Sequence, residues 1–247
     1  QIGNGLFLAE LTGRPVVNNF RAADVAAGGE GAPLAPVYHQ ALAANFDHPV
    51  AIVNIGGVAK VSFINTDDLL AFDTGPGNAL IDDLVLTRTG KRFDQDGRLA
   101  AEGRTDKAIL ADFLSHGFFD QPPPKSLDRN AFDISALEKL SLEDAAATLV
   151  AFTAEAIARS TVYFPETVGQ WLVTGGGRHN PTIMKELSER LGKTAEPVES
   201  VGWNGDAIEA QAFAFMAVRS LLDLPLSFPA TTGVDEPMAG GELHQPK

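Results

Sequence analysis

The stretch VAIVNIGGVAKVSFI, residues 50–64, decides the fold predicted for this chain. It contains two apolar runs of strand length, 50–55 and 58–64, and the Gly-Gly pair between them is a hairpin signal. A third apolar run, 69–72, follows a short polar turn. The stretch therefore predicts three consecutive strands connected as a meander.

The elements around this meander are predicted from periodicity and from turn residues. Helices are predicted at 5–12, 34–44, 79–89, 141–160, 181–192 and 206–222, short strands at 16–17 and 171–173, and loops at 18–36 and 122–130. Strands that precede and alternate with helices in this order are typical of an α/β core that begins with a meander. RNase-H-like lobes are one such arrangement.

Composition excludes several classes of protein. The 247 residues are 45% hydrophobic, which is enough for a sizeable core, and the net charge of -13 argues against a nucleic-acid-binding surface or a polybasic membrane anchor. The absence of cysteine excludes disulfides, thiolate zinc sites and a cysteine nucleophile. The absence of an HExxH pattern disfavours a protein-ligated zinc site, and the absence of a GxSxG pattern disfavours a Ser-His hydrolase. No metal-ligating residue is predicted.

The apolar runs and the first residues of the sequence also carry information. No apolar run reaches the ~18 residues that span a bilayer, and no signal-peptide pattern opens the chain. The sequence starts QIGNGLFLAELTG without a methionine. We therefore expect a C-terminal portion of a larger protein.

Two glycine-rich runs are candidate phosphate-binding loops. NIGG (54–57) joins two predicted strands, and its glycines let backbone N–H groups approach an anion. TGGGRHN (174–180) lies between a predicted strand and a predicted helix, where a flat or phosphate-bearing ligand could lie against the backbone. The alternatives are an ordinary hairpin and a flexible loop. Neither run is a Walker A or a GxGxxG motif, so a P-loop or Rossmann site is not indicated.

The run DTGPGN (73–78) places Asp73 at the end of a predicted strand and before a helix. That is the usual edge for a site in an α/β fold, where a carboxylate could act as a base beside a substrate hydroxyl. The alternative is an aspartate that caps the following turn.

Two further charged residues are candidates. Arg21 precedes a glycine pair and suits a carboxylate or a phosphate, with an internal pair to Asp24 as the alternative. Glu209 lies near the start of the last long predicted helix, where a solvated glutamate is the default.

Together these segments resemble the anhydro-N-acetylmuramic acid kinase family of bacterial cell-wall recycling. The matching runs occur in the family's order and cover most of the chain: 1–42, 53–64, 71–85, 122–129, 173–187 and 203–217. AFDTGPGNALID and FRAADVAAGGEGAPL are the specific ones.

The resemblance implies an α/β actin-like ATPase fold, that is, an RNase-H-like lobe with part of a second lobe. It implies a cytoplasmic kinase that uses ATP and Mg²⁺, opens the 1,6-anhydro ring of anhydro-N-acetylmuramic acid with water and phosphorylates the 6-oxygen. The product is N-acetylmuramic acid 6-phosphate. A homodimer is also implied, and neither a nucleic acid nor a membrane is an expected partner.

The resemblance also assigns residues. Asp73 is implied to activate the water, instead of a sugar hydroxyl. The implied nucleotide- and phosphate-binding residues are Asn54, Gly56, Gly57, Gly175, Gly176 and Gly177. The implied sugar-binding residues are Arg21, Thr74, Gly75, Asn78 and Glu209.

Several features depart from the family pattern. Lys60 stands where an asparagine is usual, Leu127-Asp128 replaces Thr-Gly, and Asn19 replaces an aspartate. The family's amino-terminal phosphate loop is not in this sequence. We expect 1–32 to belong to the N-terminal lobe and the interlobe loop, 33–219 to form the C-terminal lobe, and 220–247 to return to the N-terminal lobe. The alternative functions are a non-catalytic sugar- or nucleotide-binding fragment and another sugar kinase of the actin-like superfamily.

Overall fold

The computed structural model describes residues 3–47, 49–66 and 68–247. Its helices are α1 (Gly5–Thr12), α2 (Ala22–Ala26), α3 (Pro36–Ala43), α4 (Ala79–Thr89), α5 (Arg98–Glu102), α6 (Lys107–Phe113), α7 (Leu142–Arg159), α8 (Pro181–Leu191), α9 (Ile208–Leu221) and α10 (Pro229–Thr232). Its strands are β1 (Val16–Asn18), β2 (Val50–Ile55), β3 (Val58–Asn65), β4 (Asp68–Pro76), β5 (Gln170–Thr174), β6 (Ala195–Pro197) and β7 (Glu242–His244).

The central sheet has five strands in the order β4-β3-β2-β5-β6. The pairs β2–β3 and β3–β4 are antiparallel, whereas β2–β5 and β5–β6 are parallel. A three-stranded antiparallel meander extended by two parallel strands is the RNase-H-like arrangement. The predicted α/β fold with an RNase-H-like lobe is therefore confirmed.

Helix α7 forms the centre of the core on one face of this sheet. It starts at Ser141, whose hydroxyl accepts a hydrogen bond from the backbone N–H of Asp144 (3.1 Å), and most of its length is buried. On β2, Ala51, Val53 and Ile55 face the α7 side, whereas Val50 and Ile52 face a second apolar cluster. This period of two is what a strand covered on both faces requires.

Helices α3 and α9 contact each other beside the sheet. The rings of Tyr38 and Phe215 lie 5.3 Å apart, and the Tyr38 hydroxyl donates to Oε1 of Gln211 (3.1 Å). A separate two-stranded sheet pairs β1 with β7, so segments near both ends of the chain lie side by side. Among the described residues, no helix has the length and apolar character needed to cross a membrane.

Most predicted elements are confirmed, but several details were wrong or missing, α10 and β7 among the missing elements. Segment 18–36 was predicted as a loop and contains α2, because its alanines favour a helix. Strand β4 does not end before Asp73: it continues to Pro76 because Gly75 pairs with Ala59. Neither α6 nor β6 was predicted from the sequence.

His39 on α3 is buried and uncharged at neutral pH. Its Nδ1 lies 2.9 Å from Oγ of Ser62 on β3, and its Nε2 has no hydrogen-bond partner among the described residues. Burial lowers the pKa of His39 to about 4, from a usual value of 6.5. Below pH 6.5 the unfolded chain therefore binds a proton that the folded protein excludes.

This difference predicts a loss of stability as the pH falls from about 6.5 towards 4. Between pH 7 and pH 5 the free energy of unfolding should fall by about 2 kcal/mol more in the wild-type protein than in His39→Gln, which has no titrating ring. Urea unfolding at both pH values measures the difference. Equal losses in the two proteins would contradict this account of His39.

Candidate active site

The described residues form a cleft of about 610 Å³ between the β2–β3 hairpin, the loop after β5, helix α9 and the segment before α3. It brings together seven of the residues assigned from the sequence, which come from four separate segments. They are Arg21, Asn54, Gly56, Gly57, Gly175, Gly176 and Glu209.

The NIGG hairpin is held against the start of α4 by its carbonyl groups. The Gly56 carbonyl accepts from the backbone N–H of Asn78 (2.7 Å), and the Gly57 carbonyl accepts from that of Gly77 (3.0 Å). A Cβ on Gly77 would overlap the Gly56 carbonyl oxygen, so this approach requires glycine. The carbonyl groups of Gly56 and Gly57 thus hold the hairpin against the start of α4.

The loop after β5 is pressed against the same hairpin. Gly175 has φ 78°, and a Cβ there would overlap Oδ1 of Asn54 and the Ile55 carbonyl. Gly177 is buried against the Ile55 side chain and is not among the residues that line the cleft. The two glycine-rich loops therefore form one continuous wall, with Gly177 behind it.

Arg178 supports this wall, and sequence reasoning did not find it. Its buried guanidinium donates from Nε to Oε1 of Glu199 (2.9 Å), from Nη1 to the Gly175 carbonyl (2.8 Å) and from Nη2 to Oδ1 of Asp206. The hydrogen bond and charge of Arg178 hold the pKa of Asp206 below its usual value. The arginine after the glycines in TGGGR was the available signal.

Asp73 is buried, and both oxygens of its carboxylate accept hydrogen bonds. Oδ1 lies 2.7 Å from Nζ of Lys60, and Oδ2 accepts from the backbone N–H of Leu127 (2.9 Å). The Asp73 backbone N–H donates to the Lys125 carbonyl (3.0 Å). Asp73 does not itself line the cleft, but its partner Lys60 does.

The loop that holds Asp73 is anchored by the side chain of Lys125. The Lys125 ammonium is buried, donates to the Phe118 carbonyl (3.1 Å) and lies 4.4 Å from the Phe118 ring centre and 5.0 Å from that of Tyr163. Burial lowers the pKa of Lys125. Sequence reasoning used PPPKS only as a resemblance and did not find this role.

The other residues assigned to the sugar do not line the cleft, although Asn78 lines a second cavity beside it. The Thr74 hydroxyl donates to the Ala59 carbonyl (3.2 Å), and Gly75 packs on Ala156 of α7. The Asn78 side chain donates to the Ile55 carbonyl (3.0 Å). None of the three lines the cleft.

Arg21 lines the cleft and does not form the internal ion pair with Asp24 that the sequence left open. Both oxygens of the Asp24 carboxylate bind elsewhere, to the backbone N–H of Gly31 (2.6 Å) and the hydroxyl of Thr232 (2.6 Å). In the described ranges no ion pair joins Arg21 to Asp24. Arg21 is exposed at the cleft, where an anionic ligand can reach it.

A second cavity of about 420 Å³ adjoins the cleft and shares Gly176 and His179 with it. Asp82 and Phe93 lie in its wall. Burial, with a smaller contribution from Asp83, raises the pKa of Asp82 to about 6. Within the described part of the chain, no three His, Cys, Asp or Glu side chains are grouped closely enough to hold a metal ion.

Comparison with known proteins assigns the chain to a family. The family model for anhydro-N-acetylmuramic acid kinase matches residues 1–246. The chain belongs to the anhydro-N-acetylmuramic acid kinase family. It is 58% identical to the member from Paramagnetospirillum magneticum, covering 100% of this chain and 70% of that one. It is 52% identical to the member from Rhizorhabdus wittichii, covering 100% of this chain and 68% of that one. The predicted enzyme class, a sugar kinase, is confirmed.

Solved structures that the chain resembles are more distant. Component A of (R)-2-hydroxyglutaryl-CoA dehydratase from Acidaminococcus fermentans is 14% identical with a TM-score of 0.47, over 73% of this chain and 66% of that one. Xylulose kinase from Rhodospirillum rubrum is 16% identical with a TM-score of 0.46, over 87% of this chain and 44% of that one. The family assignment rests on the sequence relatives alone.

The close contact between the two loops predicts an unequal effect of alanine at two glycines. Gly192 is in the left-handed region, which costs an alanine about 1–2 kcal/mol, whereas Gly175 has ψ 177°, a region open essentially only to glycine. Only at Gly175 would the Cβ also meet other atoms. Gly175→Ala should therefore lower the free energy of unfolding, measured in urea, by clearly more than Gly192→Ala. Equal losses would show that the loops are not in contact.

Proposed function

We propose that this kinase opens the 1,6-anhydro ring of anhydro-N-acetylmuramic acid with water and phosphorylates the 6-oxygen. The product is N-acetylmuramic acid 6-phosphate, as peptidoglycan recycling requires. The observation that supports this most strongly is the junction of the two glycine-rich loops with the Asp73–Lys60 pair at one cleft. A binding site for phosphate and a candidate base thus adjoin each other.

The wall of the cleft fits a nucleoside triphosphate. Gly56 and Gly57 of the hairpin and Gly175 and Gly176 of the second loop present backbone without side chains, which suits close approach by phosphate oxygens. Bound ATP supplies the phosphoryl group, and Mg²⁺ neutralises its charge. Because Mg²⁺ keeps several waters and binds largely through substrate phosphates, a protein cage for it is not required.

In the proposed mechanism, Asp73 accepts a proton from water as the water oxygen bonds to the anomeric carbon. The bond from that carbon to the 6-oxygen breaks, and the 6-oxygen forms a bond to the γ-phosphorus of ATP. The bond from that phosphorus to the β,γ-bridging oxygen breaks, and ADP leaves. The second water proton stays on the new anomeric hydroxyl. The Leu127 backbone N–H and the Lys60 ammonium orient the Asp73 carboxylate for this task. Asp73 then releases its proton to solvent.

Arg21 and Glu209 are proposed to contact the sugar. Both are exposed side chains in the wall of the cleft. The guanidinium of Arg21 suits the carboxylate that muramic acids carry, and the carboxylate of Glu209 suits a sugar hydroxyl. For Thr74, Gly75 and Asn78 we propose an indirect contribution, because none of the three lines the cleft and their contacts fix the strand and the hairpin beside it.

The finer organisation is also proposed. Segments 1–32 and 220–247 would belong with the N-terminal lobe and 33–219 would form the C-terminal lobe, a division supported by the pairing of β1 with β7. A cytoplasmic location and a homodimer are supported by the family resemblance. A non-catalytic binding fragment and a different actin-like sugar kinase are not favoured, given the relatives at 52% and 58% identity.

The role of Asp73 predicts a specific kinetic defect. In the full-length kinase, Asp73→Asn should lower the turnover of anhydro-N-acetylmuramic acid by about a hundredfold or more, because the base is lost. Nucleotide affinity, measured by calorimetry, should stay close to that of the wild type. Asp112→Asn, which changes an exposed carboxylate on α6, is the control. Normal turnover in Asp73→Asn would refute the assignment.

A further inference from the structure

Lys60 is a charged residue of the cleft to which the family resemblance assigns no role. We propose that Lys60 binds the phosphoryl group that is transferred, so that one ammonium links Asp73 to the γ-phosphate of the bound nucleotide. This inference rests on the proposed function, since it requires a nucleoside triphosphate in the cleft. It makes Lys60 a substrate-binding residue that this chain has where an asparagine is usual.

The sheet aims Lys60 at Asp73. The two residues are cross-strand partners on β3 and β4, and the pairing register shifts between Ala59 and Lys60. Irregularities of this kind re-aim side chains next to active sites. The result is a 2.7 Å contact between Nζ of Lys60 and Oδ1 of Asp73.

The Lys60 side chain is also open to the cleft. It is 35% exposed, whereas the Asp73 side chain is only 4% exposed. Lys60 also lines the cleft, whereas Asp73 does not. An ammonium has three N–H donors, and Asp73 is the partner that the described residues show for it, which leaves donors for a ligand in the cleft.

Lys60 belongs to the same wall as the glycine-rich loops. It follows Gly57 by three positions along β3 and lines the cleft with Gly57 and Gly175. A group bound along the backbone of these two loops would lie beside its ammonium. Lysine binds phosphate as a point charge and does not need the fixed geometry of a guanidinium.

The other cations of the wall do not supply this charge. Arg178 is buried, with a side chain only 3% exposed, and it is bound by Glu199, Asp206 and the Gly175 carbonyl. Arg21 comes from a different segment of the lining, the one before α3, and Lys60 is the cation that the described ion pairs place on Asp73. Phosphoryl transfer depends mainly on electrostatic stabilisation, and this chain has a net charge of -13, so a local cation beside the phosphates matters.

A comparison of two nucleotides tests the proposal in the full-length kinase. Calorimetry measures the affinity of ADP and of the β,γ-imido analogue of ATP, each with Mg²⁺, for the wild type and for Lys60→Met, Lys60→Asn and Lys60→Arg. Lys60→Met and Lys60→Asn should bind the triphosphate analogue about tenfold or more weakly, whereas ADP affinity should not change, because only the γ-phosphate is contacted. Lys60→Arg should recover most of the loss.

Kinetics and a matched control complete the test. Turnover should fall in Lys60→Met and be partly restored in Lys60→Arg. Lys185→Met removes a lysine of α8 that is 74% exposed and paired with Glu189, and it should leave both affinities unchanged. Should Lys60→Met fail to fold, Lys60→Asn, which has the residue usual in the family, makes the same comparison.

The outcomes distinguish a failure of the Lys60 inference from a failure of the proposed function. If the wild type phosphorylates the sugar and the Lys60 variants lose ADP and triphosphate affinity equally, or lose neither, Lys60 does not contact the γ-phosphate and the proposed function still stands. If the wild type binds the nucleotides but leaves the sugar unphosphorylated, the proposed function fails, while the ratio of the two affinities still decides the role of Lys60. A wild type that binds neither nucleotide refutes both.

Discussion

The cleft depends on how closely the backbones of two loops approach each other. The carbonyl groups of Gly56 and Gly57 accept hydrogen bonds from the backbone N–H groups of Asn78 and Gly77, just before α4. Gly175 lies against Asn54 and Ile55. Side chains at Gly77 or Gly175 would prevent this approach. Because acceptors of the hairpin face α4, an anion in the cleft is not opposed by those carbonyl groups. The same contact thus sets both the shape and the electrostatic character of the wall.

Two buried cations stabilise the segments that form the site. Arg178 joins the second loop to the segment before α9, through Glu199 and Asp206. Lys125 fixes the loop whose backbone contacts both the carboxylate and the N–H of Asp73. Neither is available to a ligand. The chain has more acidic than basic residues, and two of its basic residues stabilise the site through internal contacts.

Much of the fold could be predicted from the sequence because its signals are local. The Gly-Gly pair of the hairpin, the Ser141 cap and the helix after DTGPGN are all set by nearby residues. What could not be predicted depends on contacts between distant segments. Strand β4 extends past Asp73 only because β3 offers partners for it, and the hydrogen bond from Leu127 joins residues that lie 54 positions apart. Which glycines line the cleft and which, like Gly177, lie behind it is likewise a matter of tertiary packing.

The extension of β4 has a consequence for how the site can change. Asp73 is rooted inside a paired strand, with its backbone N–H and both carboxylate oxygens already bound. A group held in this way cannot follow a substrate that binds in a different pose. Under the proposed roles of Arg21 and Glu209, tolerance of other sugars would have to come from these two exposed side chains of the cleft lining. The position of Asp73 is therefore fixed by the sheet, and a change of substrate would require changes elsewhere in the site.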